Sequence, residues 1–160
     1  MDPDLVLNGA GTQRNGGRFA PVGTRAVYLS ATDSGASKEV TARKARLGGS
    51  AQISTDRYPR VVFAVAVDLK RLLDLSELGR SRSAEAVKKA CLNIDNLSAS
   101  MELGSMLVAE GIQGLLFPSA IGGDQNLIVY KANCGKKALT IPNEKDVIEE
   151  AKRIASKRPK

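Results

Sequence analysis

The chain has 160 residues, 42% apolar and 26% charged, the proportions of a globular protein with length for one core and too little for two ordinary domains. Lysine and arginine number 24 against 17 acids, a net charge of +7, and histidine is absent. The charge suits an anionic ligand, nucleic acid or an acidic protein without choosing among them, while the missing imidazole excludes Ser-His-Asp triads, Cys-His dyads and HExxH zinc sites, so catalysis must run on Arg, Lys, Tyr, Ser, Thr, Asp or Glu.

Met1-Asp2-Pro3-Asp4 carries acids where a secretory signal carries bases, and no apolar run reaches the roughly 18 residues of a membrane span, so a cytoplasmic protein is expected. Residues 1–24 are rich in Gly, Asn and Pro without periodicity and read as a loop. Arg25 to Ser30 reads as a short strand. Asp33 or Ser34 is placed to cap a helix that runs to about Arg46 and stops at Gly48-Gly49. A polar stretch over 48–59 ends in Pro59. Val61 to Val67 is apolar on both faces and predicts the strongest, most central strand. A turn or short helix is expected from Asp68 to Gly79, then helices over Ser83 to about Leu92 and Ser98 to Glu110, the second ended by Gly111. Gly114 to Phe117 is a short buried strand stopped by Pro118, and Asn126 to Tyr130 another after the Gly122-Gly123 turn. The last helix starts at Asn143 and runs to about Ser156, with Val147, Ile148, Ala151, Ile154 and Ala155 as its apolar face. Strands and helices mix without regular βαβ alternation, which predicts an α+β fold of small mixed sheets with flanking helices.

Cys91 and Cys134 lie far apart in no metal-like cluster and read as free thiols, and no metal site is expected. The runs Lys88-Lys89 and Lys136-Lys137 read as solvated faces, and the basic C-terminal end complements a helix C-terminus. Aromatics make up 4% of the chain, too few for a base-stacking platform.

Chemistry concentrates between Gly16 and Glu39. In Gly16-Gly17-Arg18-Phe19, two glycines let backbone approach a ligand and a guanidinium adds a fork of donors, a combination that suits phosphate. Neither GxGxxG nor a Walker pattern is present. By residue type alone, Arg18 is equally a surface base, Glu39 a solvated helix acid, Tyr28 a half-buried strand aromatic and Ser119 a turn residue.

Gly16-Gly17-Arg18-Phe19 with Gly23, Ala26-Val27-Tyr28-Leu29-Ser30, Ala36-Ser37-Lys38-Glu39, and Leu115-Leu116-Phe117-Pro118-Ser119-Ala120 followed by Asn126-Leu127 together resemble, in order and spacing, the motifs of the RES domain. The resemblance spans roughly Leu7 to Tyr130. Phe19 and Ala20 stand where the family more often has Trp and Asn, and the short lead-in before Gly9 predicts that a family strand upstream is missing or shortened.

The resemblance implies one RES-like domain over 1–160, with a core of about 7–131 and a C-terminal helix over 143–157, similar in fold to ADP-ribosyltransferases. It further implies a bacterial toxin that degrades NAD by hydrolysis or phosphorolysis and is neutralised by an Xre-like antitoxin, with a homo-oligomer possible inside that assembly and nucleic acid reached only through the antitoxin. NAD is then a substrate, with no retained cofactor. By the same resemblance Arg18, Glu39 and Ser119 are the catalytic candidates, while Arg18, Tyr28, Arg14, Ser119 and Asn126 are the candidates for holding NAD. The residue types agree with that chemistry: cleaving the nicotinamide–ribose bond builds positive charge on the ribose, which a carboxylate stabilises without help from histidine. Two other functions stay open, ADP-ribosyl transfer to a protein and a non-enzymatic basic binding module. Ser37 stands two residues before Glu39, where many transferases carry an acid or Gln, which favours a small acceptor.

Overall fold

The computed structural model describes residues 6–46, 61–79, 81–121 and 123–156, and of residues 42–46 the backbone alone. Its centre is a four-stranded sheet of order β1-β5-β4-β3, formed by β1 (Ala26–Ser30), β5 (Gln125–Tyr130), β4 (Gly114–Pro118) and β3 (Leu72–Asp74). β1, β5 and β4 pair antiparallel, and β3 joins β4 in parallel. A separate two-stranded ladder pairs β2 (Ala66–Val67) with β6 (Leu139–Thr140). Among the described residues five helices flank them: α1 (Ala10–Asn15), α2 (Asp33–Arg46), α3 (Arg82–Leu92), α4 (Ser98–Ala109) and α5 (Glu144–Ser156). This mixed arrangement is the expected α+β class. Among the described residues no helix is long and apolar enough to cross a membrane.

Side chains alternate across a strand, so the register assigns Tyr28 and Ser30 of β1, Asn126, Ile128 and Tyr130 of β5, and Leu115 and Phe117 of β4 to one face. That face buries Phe19, Leu115, Phe117, Ile128 and Tyr130 against Cys91 of α3 and Leu107 of α4. The opposite face, with Val27 and Val129, is covered by Leu7, Leu139 and Ile141, and by the half-buried Phe63, Val65 and Val147.

Several helix boundaries follow local chemistry. The Ser81 hydroxyl accepts from the Ala84 N–H at 3.2 Å and caps α3. Thr32, rather than Asp33 or Ser34, caps α2 by accepting from the Gly35 N–H at 2.9 Å. α4 ends at Ala109, just before Gly111, as the sequence predicts, and α5 starts one residue after Asn143. Of the expected apolar face of α5, Val147, Ile148, Ala151 and Ile154 are half-buried and Ala155 is exposed. The Gly48-Gly49 stop and the polar stretch to Pro59 lie outside the described residues.

Four other expectations need correction. The Gly-rich stretch contains a helix, α1, whose last turn closes with the Gly16 N–H donating to the Thr12 carbonyl at 2.7 Å. Val61–Val67 is no central strand. Among the described residues only Ala66–Val67 of this run pairs, and while Phe63 and Val65 pack against the core, Val62 and Val67 are 51% and 39% exposed. A Val-rich run reports β propensity and apolarity, and neither says how many of its faces are covered. The segment read as turn or short helix over Asp68 to Gly79 supplies β3, then a 3₁₀ turn at Leu75–Glu77. Lys88 is also more than a solvated base, because its Nζ reaches the Ser76 carbonyl at 3.1 Å and Glu85 at 3.0 Å.

Candidate functional site

The turn from β1 into α2 is two residues long, so α2 folds back over the end of the sheet that carries Ser30. Nearly two helical turns in, Glu39 meets the strand ends. Its Oε1 accepts from Ser119 Oγ and from Asn126 Nδ2, both at 2.7 Å, across 80 and 87 residues of chain. The Ser119 hydroxyl in turn accepts from the Ile121 N–H at 3.1 Å, which leaves its own proton to point at Glu39. The Ser119 N–H donates to the Asp124 carbonyl at 2.8 Å, closing the turn between β4 and β5 and fixing where both donors stand. Glu39 Oε2 accepts no hydrogen bond from the described residues.

Asn126 is 7% exposed, and its Oδ1 is buried with no hydrogen-bond partner among the described residues. Facing it across the β1–β5 pair, Ser30 Oγ is buried and unpartnered as well. An unsatisfied buried oxygen is costly, which sets these two atoms apart from the paired polar groups around them.

Arg18 and Tyr28 stand further along the same face. The Arg18 Nε donates to the Cys91 carbonyl at 3.3 Å, and its guanidinium lies 5.3 Å from the Phe19 ring centre and 5.7 Å from that of Phe117. Burial pushes the Cys91 thiol up in pKa, and the Arg18 charge beside it pulls the other way. Cys91 is buried, Cys134 half-buried, and both are free thiols. Tyr28 meets Phe117 edge to face at 6.4 Å, and its hydroxyl accepts from the Phe19 N–H at 3.0 Å. Gly17 makes that reach possible: a Cβ there would lie 2.6 Å from the Tyr28 hydroxyl oxygen. The glycine therefore lets Tyr28 approach the loop, whereas the sequence alone suggests room for a ligand.

Glu39, Ser119 and Asn126 are thus joined directly. Arg18 and Tyr28 are joined to them through Phe117, which pairs with Asn126 in the β4–β5 ladder. Arg14 is set apart, exposed in the last turn of α1, with no hydrogen bond or ion pair to the others. Sequence reading passes over Ser30, Phe117 and the Cys91 carbonyl. Phe117 is signalled only by its place two residues before Ser119, and nothing in a sequence marks a backbone carbonyl as the anchor of an arginine. The groove of about 270 Å³ between Val61–Ala64 and α5 lies on the other face of the sheet and includes none of these residues.

The comparison with curated proteins returns no match. Among solved structures, a chain of the M. tuberculosis MbcT–MbcA toxin–antitoxin complex is similar in fold, with a TM-score of 0.65 and 23% identity over 89% of this chain and 76% of that one. The model of the RES domain matches residues 5–148, a span that takes in the Gly-rich loop, Glu39 and the Ser119 turn, and the chain therefore belongs to the RES domain family.

Proposed function

We propose that the chain is a cytoplasmic toxin that cleaves the nicotinamide–ribose bond of NAD, by hydrolysis or phosphorolysis, and is held inactive by a cognate antitoxin. The observation that carries this reading is the Glu39 carboxylate, fixed at one oxygen by Ser119 and Asn126 and, among the described residues, open at the other. Nicotinamide in NAD is a pyridinium, so it takes the bonding electron pair and leaves as a neutral base. No general acid is required, which suits a chain without histidine. The ribose left behind has oxocarbenium character, and a carboxylate locked by two donors faces that charge without reorganising. Glu39 Oε2 accepts from a ribose hydroxyl or from the attacking water, and water attack releases ADP-ribose and a proton.

Arg18, backed by two aromatic rings, is assigned to an NAD phosphate or the ribose. Tyr28, 37% exposed, offers a ring for nicotinamide to stack on. The open oxygens of Ser30 and Asn126 would take hydroxyl or amide protons of the substrate. Arg14, exposed at the end of α1, would meet the NAD diphosphate. A similar fold in a toxin–antitoxin complex supports an antitoxin as partner, with any oligomer or nucleic-acid contact arising within that assembly. Ser37 is exposed and brings neither acid nor amide to the site, which supports a small acceptor over transfer to a protein.

The test is to incubate the purified chain with NAD, with and without inorganic phosphate, and follow nicotinamide by chromatography. Release by wild type and loss in Glu39→Ala is the expected outcome, with ADP-ribose or its 1-phosphate identifying the acceptor. No release by wild type, or equal release by the variant, refutes the proposal.

A further inference from the structure

We propose that Tyr130 is a positioning residue that aims Arg18 by clamping the backbone of Phe19, a role that rests on the assignment of Arg18 to NAD. Both polar backbone groups of Phe19 are taken by tyrosine hydroxyls from neighbouring strands. Its N–H donates to Tyr28 at 3.0 Å, and its carbonyl accepts from Tyr130 at 3.1 Å. Peptide groups are planar, so holding the plane before Phe19 and the plane after it fixes both backbone dihedrals of that residue. The direction in which Arg18 leaves the loop follows from those dihedrals. The guanidinium then arrives where the Cys91 carbonyl and the rings of Phe19 and Phe117 receive it.

No water can stand in for the Tyr130 hydroxyl. Phe19 and Tyr130 are both 0% exposed. The backbone of α4 closes the remaining side, where a Cβ on Gly104 would fall 2.6 Å from the Phe19 carbonyl carbon. Burial pushes the Tyr130 phenol upward in pKa, and Tyr28 acts in the same direction, as two hydroxyls on either side of one residue should. Packing alone would be served by phenylalanine, which fills the same space without a buried polar atom. The Tyr130 hydroxyl has the Phe19 carbonyl as its partner, and that bond is what the oxygen adds.

Tyr130→Phe isolates the bond while keeping the ring. Hydrogen exchange read by mass spectrometry in the variant is expected to accelerate about tenfold over residues 16–20, the size of one lost hydrogen bond, with β2, β6 and α5 unchanged. With NAD as probe, KM is expected to rise about tenfold while kcat moves less than about threefold. The double variant with Arg18→Ala should lose no more than Arg18→Ala alone, because Tyr130 acts through Arg18. Unchanged exchange over 16–20, exchange raised uniformly across the chain, or losses that multiply in the double variant would each overturn the proposal. The exchange measurement needs no NAD, so it decides the clamp even where the NAD-cleaving reading fails.

Discussion

Replacing Glu39 by Gln and by Ala separates what its charge does from what its hydrogen bonds do. Glu39 Oε1 receives Ser119 and Asn126 at 2.7 Å each, and Oε2 receives no donor among the described residues. Glutamine keeps an acceptor oxygen at Oε1 and puts its amide nitrogen at the open position. Both bonds survive and the charge is gone. Alanine removes the acceptor, leaving two donors unmatched beside an Asn126 whose Oδ1 already lacks a partner. An unmatched donor costs about 1–3 kcal/mol when dry, and half-burial at Glu39 admits some water, so the lower end applies and the pair costs about 2 kcal/mol. For a chain of this size that lowers Tm by about 4–8 °C, whereas Glu39→Gln should melt within about 2 °C of wild type. In nicotinamide release both variants should lose roughly 100–1000-fold in kcat, about 3–4 kcal/mol of transition-state stabilisation, because the carboxylate acts on the developing ribose cation. Calorimetry and chromatography of released nicotinamide read the two effects separately. A Glu39→Gln variant within about tenfold of wild-type kcat would refute the electrostatic role. One that melts as low as Glu39→Ala would refute the hydrogen-bond geometry.

Three further outcomes follow from the packing. Gly104→Ala should lower stability by about 1–3 kcal/mol, since a Cβ there meets the Phe19 carbonyl and α4 must retreat; an unchanged Tm speaks against the close approach. Asn133→Ala should lower stability by about 1–3 kcal/mol with kcat unchanged, because its Nδ2 donates to the Val108 and Ile112 carbonyls at 3.0 and 2.8 Å at the end of α4, far in role from Glu39. The third concerns alkaline pH. Tyr130 is raised above its ordinary pKa of 10.0 by burial, so above that pH the unfolded chain gives up a proton that the native state keeps. The stability contribution is whole below the ordinary value and is lost as pH climbs through the window above it, at about 1.4 kcal/mol per pH unit. Urea midpoints between about pH 9 and pH 11 should therefore fall more steeply for wild type than for Tyr130→Phe, and parallel slopes would sink the argument.

The sequence by itself determined the elements whose signals are local. Ala26–Ser30, Gly114–Pro118 and Gln125–Tyr130 announce themselves as short β-rich runs, and the helices carry their own breakers, such as Gly111 after α4. Arg18, Tyr28, Glu39, Ser119 and Asn126 were singled out only by the resemblance of four motifs, in order and spacing, to those of the RES domain, since by residue type alone each has an ordinary structural reading. What faces what was decided by tertiary structure. Val61–Val67 looks the most buried strand, yet among the described residues only two of its members pair and only alternate ones pack inward, because burial belongs to the neighbours and not to the run. β3 and β6 are too short to carry a period and exist only through their partners. Ser119 and Asn126 converge on one carboxylate oxygen only because α2 folds back over the ends of β4 and β5. The clamp on Phe19 depends on a strand 111 residues away, a separation over which no local pattern speaks.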